Sequence, residues 1–98
     1  DASGKPSRSL TRHDAGTALA DFLSAAQALL QNGGKLFVIY PAGALSELFS
    51  ALQLHAFEPK RMRFVYTKAG KDALRVLVEA KKGGKPGLTV EPPMIVEE

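Results

Sequence analysis

The sequence predicts an α/β domain: a mixed sheet of three main strands with two helices. Three observations lead there. Leu19, Phe22, Leu23, Ala26, Leu29 and Leu30 recur at the i, i+3, i+4, i+7 spacing of an amphipathic helix. Two short runs rich in β-branched and aromatic residues, Leu36–Tyr40 and Met62–Tyr66, flank a second helical pattern, making a strand–helix–strand unit. A turn containing Gly70 then joins Met62–Tyr66 to the apolar run Leu74–Val78, as in a β-hairpin.

Residues 1–14 hold Gly4, Pro6 and seven hydroxyl or basic side chains without a period of 2 or 3.6, so they read as loop. The chain opens on Asp1 within that polar stretch, and we expect it to be part of a longer polypeptide. The first helix is expected over 15–32. Asp14 or Thr17 is placed to accept from its unpaired N–H groups, and Asn32-Gly33-Gly34 suits the left-handed turn that ends it. Five apolar residues before Pro41 give a strand over 35–40, expected to be buried on both faces. Leu45, Leu48, Phe49 and Leu52 mark a second helix over 44–55, which Pro59 prevents from continuing.

The hairpin arms span 59–67 and 73–82. A right-handed crossover sets the first two strands parallel, and the third returns antiparallel. Because Leu74–Val78 is almost continuously apolar, the third strand is expected between the other two, in a sheet covered on both faces. For Phe64 to share a face with Val76, paired positions must sum to an even number, which requires an odd-length loop or a bulge near Gly70. Residues 83–98 read as a turn and an extended tail, where Pro92-Pro93 confines any strand to an edge.

Composition narrows the function classes. A 98-residue chain with 45% hydrophobic residues suits one compact domain. No apolar run approaches the roughly 18–20 residues that cross a bilayer, so no membrane partner is expected. The absence of Cys removes disulfides and thiolate metal sites and is compatible with a cytoplasmic location. No paired carboxylates, metal-ligand cluster or G-x-G-x-x-G spacing occurs, so no catalytic, cofactor-binding or metal-binding residue is assigned.

Gly83-Gly84-Lys85-Pro86-Gly87 lacks phosphate-loop spacing and reads as a turn. His13-Asp14 reads more simply as a surface histidine beside a cap than as a base with its orienting carboxylate. His55 is accounted for by its place at a helix C-terminus. Charge is the stronger signal. Nine basic residues, among them Lys60, Arg61, Arg63, Lys68 and Lys71, fall within residues 60–85 beside only Asp72 and Glu79. Such asymmetry is either the electrostatic footprint of a polyanion, RNA before membrane, or a solvated rim that keeps edge strands from aggregating.

These strings also resemble a known family. Phe57-Glu58-Pro59-Lys60-Arg61-Met62-Arg63-Phe64-Val65-Tyr66, Lys68-Ala69-Gly70-Lys71, Val76-Leu77-Val78-Glu79-Ala80 and Lys82-Gly83-Gly84-Lys85-Pro86-Gly87-Leu88 look like the C-terminal part of bacterial tRNA (adenine-N6)-methyltransferase-like proteins, a class I S-adenosylmethionine-dependent group. Arg12-His13-Asp14 resembles that family's Arg-His-Glu segment, with Asp in place of Glu. The resemblance implies the C-terminal half of a Rossmann-like fold with strand order 5-7-6, strand seven antiparallel. It implies methyl transfer from S-adenosylmethionine to adenine N6 of tRNA in a parent enzyme, with Arg12 and His13 in a substrate-side loop.

The family's glycine-rich cofactor loop and Asn-Pro-Pro-Tyr motif are absent from these 98 residues, so the chain alone is expected to be inactive and to bind no cofactor. RNA contacts are expected from Arg12, His13, Lys60, Arg61, Arg63, Lys68 and Lys71. The expected partners are tRNA and the N-terminal half of the fold. A homodimer through the edge of strand 35–40 is a further expectation.

Overall fold

A computed structural model describes residues 15–96, with side chains from Ala18 onward. The elements run α1 (Ala15–Leu29), β1 (Lys35–Pro41), a 3-10 turn (Ala42–Ala44), α2 (Leu45–Leu54), β2 (Phe57–Tyr66), β3 (Arg75–Lys82), β4 (Thr89–Val90) and β5 (Met94–Ile95). Of the expected cap residues, Asp14 falls outside the described residues, and Thr17 lies inside α1 rather than at its cap. α1 stops short of the expected residue 32, and Gly33 takes the left-handed conformation (φ 88°) anticipated for it.

The sheet runs β1-β3-β2-β4, with β5 also on β2. β3 is antiparallel to both its neighbours, which is the expected order. Phe64 lies opposite Val76 and Val65 opposite Arg75, an even register with an odd number of residues between that last pair, turning around Gly70 (φ 87°). The tail adds β4 and β5 parallel to β2 along its outer edge, as prolines require of an edge segment.

One irregularity escaped the sequence. Between Pro59 and Arg61 the pairing of β2 with β3 shifts by one residue, a bulge at Lys60. On one side of it the odd residues Phe57 and Pro59 are buried; on the other side the even residue Met62 is. The bulge therefore turns both halves of β2 toward the same core. Pro59 has no N–H to lose where the ladder is broken.

The core lies between the sheet and the two helices. Leu19, Leu23 and Ala26 of α1 and Leu48 and Leu52 of α2 pack on Leu36, Val38, Tyr40, Val76, Val78 and Ala80. Lys82, at the end of β3, donates from Nζ to the carbonyl oxygens of Gln27 and Leu30, the latter at 2.6 Å. It caps the C-terminus of α1, where a cation offsets the helix dipole.

The expectation of burial on both faces is corrected. β1 and β3 alternate: Leu36, Val38 and Tyr40 are buried and Phe37 is 50% exposed, while Val76, Val78 and Ala80 are buried and Arg75 is exposed. The strand order is right, but both helices sit on one side. Among the described residues nothing layers the other.

Candidate functional site

The open face presents the odd residues of β1 and β3 and those of β2 beyond its bulge. Cross-strand pairing sets Phe37 beside Glu79 and Arg61, then Ile39 beside Leu77 and Arg63, then Pro41 beside Arg75 and Val65. The first two ranks, with Lys35, Glu91 and, from β5, Met94, line a groove of about 610 Å3. Its floor is apolar around Ile39, Leu77 and Met94 and charged at the other end.

The charges form a chain across three strands and onto Glu91, the residue after β4. Lys35 Nζ lies 3.4 Å from Glu79, and Arg61 approaches the other oxygen of Glu79 at 3.7 Å. Arg61 also donates from Nε to Glu91 at 3.0 Å, with Nη2 on the same oxygen, and Arg63 Nη2 lies 3.4 Å from the second oxygen of Glu91. Hydrogen bonding from Arg61 is the chief cause that holds the Glu91 carboxyl below the usual carboxylate range. Partial desolvation opposes it, and the charges of Arg61 and Arg63 reinforce it. Arg61 is correspondingly raised, first by its hydrogen bond to Glu91.

Of the seven residues singled out for RNA, the five described ones do not form one cluster. Arg12 and His13 lie outside the described residues. Arg61 and Arg63 are engaged by Glu79 and Glu91 in the open face. Lys60 donates to the carbonyl of Lys85 at 2.6 Å, anchoring the glycine-rich turn to the bulge. Lys68 and Lys71 stand exposed in the hairpin loop, roughly 20 Å along β2 from Arg61 at about 3.3 Å per residue.

That loop lies at the end of the sheet where β1 and β2 finish, because Val65, Arg75 and Pro41 are in register. Open α/β sheets bind ligands outside the carboxyl ends of their strands. Exposed Arg75 adds a third cation there. Thus Lys68, Lys71 and Arg75 lie at the end of the sheet where β1 and β2 finish, while Lys60 and Arg61 serve the sheet and its tail. The sequence could have hinted at part of this: Lys35, Arg61, Arg63 and Glu79 share odd parity. Glu91 carried no such signal.

Among the described residues, the carboxyl end of β1 does not fit S-adenosylmethionine by itself. At the carboxyl end of β1, Pro41-Ala42-Gly43-Ala44-Leu45 offers no polar side chain, and the Ala42 N–H is bonded to Leu74 O at 3.1 Å. No group of His, Asp and Glu suited to a metal ion occurs among the described residues. His55 ties the end of α2 to α1: its Nδ1 donates to Ala51 O at 2.9 Å and its Nε2 lies 3.3 Å from Ser24 Oγ. No helix among the described residues is long and apolar enough to cross a membrane.

No protein-family model matches the sequence, and no curated protein does either. Among solved structures, the crystal structure of a predicted O-methyltransferase from Agrobacterium tumefaciens is similar at 30% sequence identity with a TM-score of 0.69. The match covers 78% of this chain and 36% of that one, so the chain spans about a third of its structural neighbour's length. The reversed β3 between parallel β1 and β2, with two helices on one side, is thus the architecture of part of a methyltransferase fold.

Proposed function

We propose that this chain is the C-terminal half of an S-adenosylmethionine-dependent methyltransferase and is inactive without an N-terminal half. The observation that carries this reading is the β1-β3-β2 order with reversed β3, aligned at 30% identity with a methyltransferase. Two features of the chain support it. The carboxyl end of β1 lacks polar groups for a cofactor. The large apolar residues Phe37, Ile39 and Leu77 occupy a face that a second layer would cover.

In the complete enzyme the acceptor is adenine N6 of a tRNA in the cytoplasm. This finer assignment rests on the resemblance of the Glu58-Pro59-Lys60-Arg61 and Gly83–Leu88 strings, and the neighbour's description as an O-methyltransferase leaves oxygen as the competing acceptor. Lys68, Lys71 and Arg75 give RNA phosphates a basic contact beside the carboxyl ends of the strands. Arg12, His13, Lys60, Arg61 and Arg63 are secondary candidates.

Methyl-labelled S-adenosylmethionine, supplied with tRNA to the parent polypeptide, should place label on N6-methyladenosine after nucleoside digestion. Label on an oxygen acceptor would overturn the adenine assignment and keep the methyltransferase. Tight binding of S-adenosylmethionine to the 98-residue chain in calorimetry would overturn the reading of this chain as an incomplete half.

A further inference from the structure

The tip of the β2–β3 hairpin carries an apolar shelf beside cations that no carboxylate engages. Beyond the bulge the even residues of β2 face the helices: Met62 is buried, Phe64 packs against the core, and Tyr66 follows, partly buried. Its paired residue on β5 is Ile95, 46% exposed, and parallel partners share a face. On its other side Leu74 is 48% exposed. Leu74 donates to Val65 O at 2.8 Å and accepts from the Ala42 N–H at 3.1 Å, which keeps it in line with the even residues of β3. Leu74, Tyr66 and Ile95 thus form one row with an aromatic ring at its centre.

The adjoining loop supplies charge. The Lys71 N–H donates to Lys68 O at 3.2 Å across Gly70 (φ 87°), so the two lysines close one four-residue turn. Their Cα atoms then lie within about 7 Å of each other. Lys35, Arg61 and Arg63 are all held by Glu79 or Glu91, whereas no ion pair among the described residues engages Lys68 or Lys71. This corner keeps its exposure beside an N-terminal half of the fold. A strand added along β1 lies three strand spacings from β2, roughly 14 Å. A layer on the open face covers the odd residues, and Tyr66 is on the other side.

We propose that Tyr66 stacks an unpaired base of RNA, with Leu74 and Ile95 flanking the base and Lys68 and Lys71 holding the adjacent phosphates. This rests on the reading of RNA as substrate and adds a contact to a base, where cations alone grip the backbone. An aromatic face beside basic side chains is the chemistry that binds single-stranded nucleic acid. A paired base is stacked inside its helix and cannot lie on the ring. The shelf therefore separates unpaired from paired RNA without selecting a sequence.

Anisotropy with a labelled oligoadenylate of about ten nucleotides reads the affinity of the 98-residue chain. The single strand should bind more tightly than its duplex with oligouridylate, although the duplex carries more charge. Tyr66→Leu, which keeps the apolar bulk, should weaken binding about fivefold or more, and Tyr66→Phe should retain it. Lys68→Ser and Lys71→Ser should each flatten the salt dependence by about 0.7 in logarithmic slope. Lys35→Ser removes the same charge at the far end of β1 and should leave the slope unchanged. On binding, the Tyr66 ring protons should move upfield in NMR spectra, while Tyr40, buried in the core, stays in place. Equal affinity of Tyr66→Leu and the unaltered chain, or preference for the duplex, overturns the proposal. Neither result bears on the label that the parent polypeptide transfers.

Discussion

The two faces of the sheet are made from alternate residues of the same strands, yet they obey different chemistry. On the helix side Leu36, Val38, Val76, Val78 and Ala80 are closed off from water by Leu19, Leu23, Leu48 and Leu52. On the other side Phe37, Ile39 and Leu77 sit beside the chain of charges Lys35–Glu79–Arg61–Glu91–Arg63. The helix side holds the fold together. The open side records what the fold is prepared to receive, since apolar side chains left half in water contribute little until something covers them.

The largest expected effect contrasts two leucines. Leu48→Ala removes a fully buried side chain from the layer between α2 and the sheet and should cost about 2–5 kcal/mol in urea unfolding. Leu77→Ala, partly exposed on the open face, should cost about 1 kcal/mol or less. Equal losses would erase the distinction between the faces.

Deleting Lys60 attacks the device that keeps β2 on the correct side of that distinction. Without the bulge, Phe57 and Met62 can no longer face the helices together, because a one-residue slip exchanges the faces of a strand. The loss should approach the burial of one large side chain, about 2–3 kcal/mol, measured the same way. Unchanged stability would mean that the bulge is incidental.

The bulge also shows where sequence reading ended. Helix spacing at Leu19–Ala26, the Asn32-Gly33-Gly34 stop and the parity of Phe64 with Val76 are local patterns, and each appears in the structure, whereas Leu29, assigned to the same apolar stripe, is 76% exposed in the last turn of α1. Strand order followed from one inference, that an apolar run sits between neighbours. The same run, Leu74–Val78, suggested cover on two faces, and there the inference failed, because Leu77 is apolar without a layer above it among the described residues. Composition reports what a face is suited to and cannot report whether its cover is present. The charged residues were harder still. Arg61 and Arg63 read as ligand-binding cations, whereas their partner Glu91 lies 30 and 28 residues away on a tail whose pairing no periodicity announces.

A cation behaves differently on each face, which gives a smaller test. Lys82 reaches the helix side and donates to two carbonyls at the end of α1. Lys82→Met should cost about 1–2 kcal/mol and loosen amide protection in the last turn of α1. Lys35→Met removes an exposed ammonium from Glu79, which keeps Arg61 as a partner, and should stay within about 0.5 kcal/mol. Equal effects would mean that the helix cap contributes no more than a surface ion pair.

The smallest effect concerns Glu91 and pH. Its carboxyl is held below the usual carboxylate range, first by the hydrogen bond from Arg61. A depressed folded-state pKa contributes stability that is present above the unfolded value and is lost as pH falls through the folded value. Acidification should therefore release the tail before it disturbs the helix side, where no charged or polar residue is fully buried among the described residues. In a side-chain NMR titration the Glu91 midpoint should fall below that of an ordinary glutamate, and Arg61→Met should move it back. Over the same pH range the Glu91 amide, which donates to Met62 O at 2.8 Å, should lose exchange protection while Val78 keeps its own. An ordinary midpoint, or simultaneous loss at both amides, would show that the open-face charges do not hold β4 independently of the core.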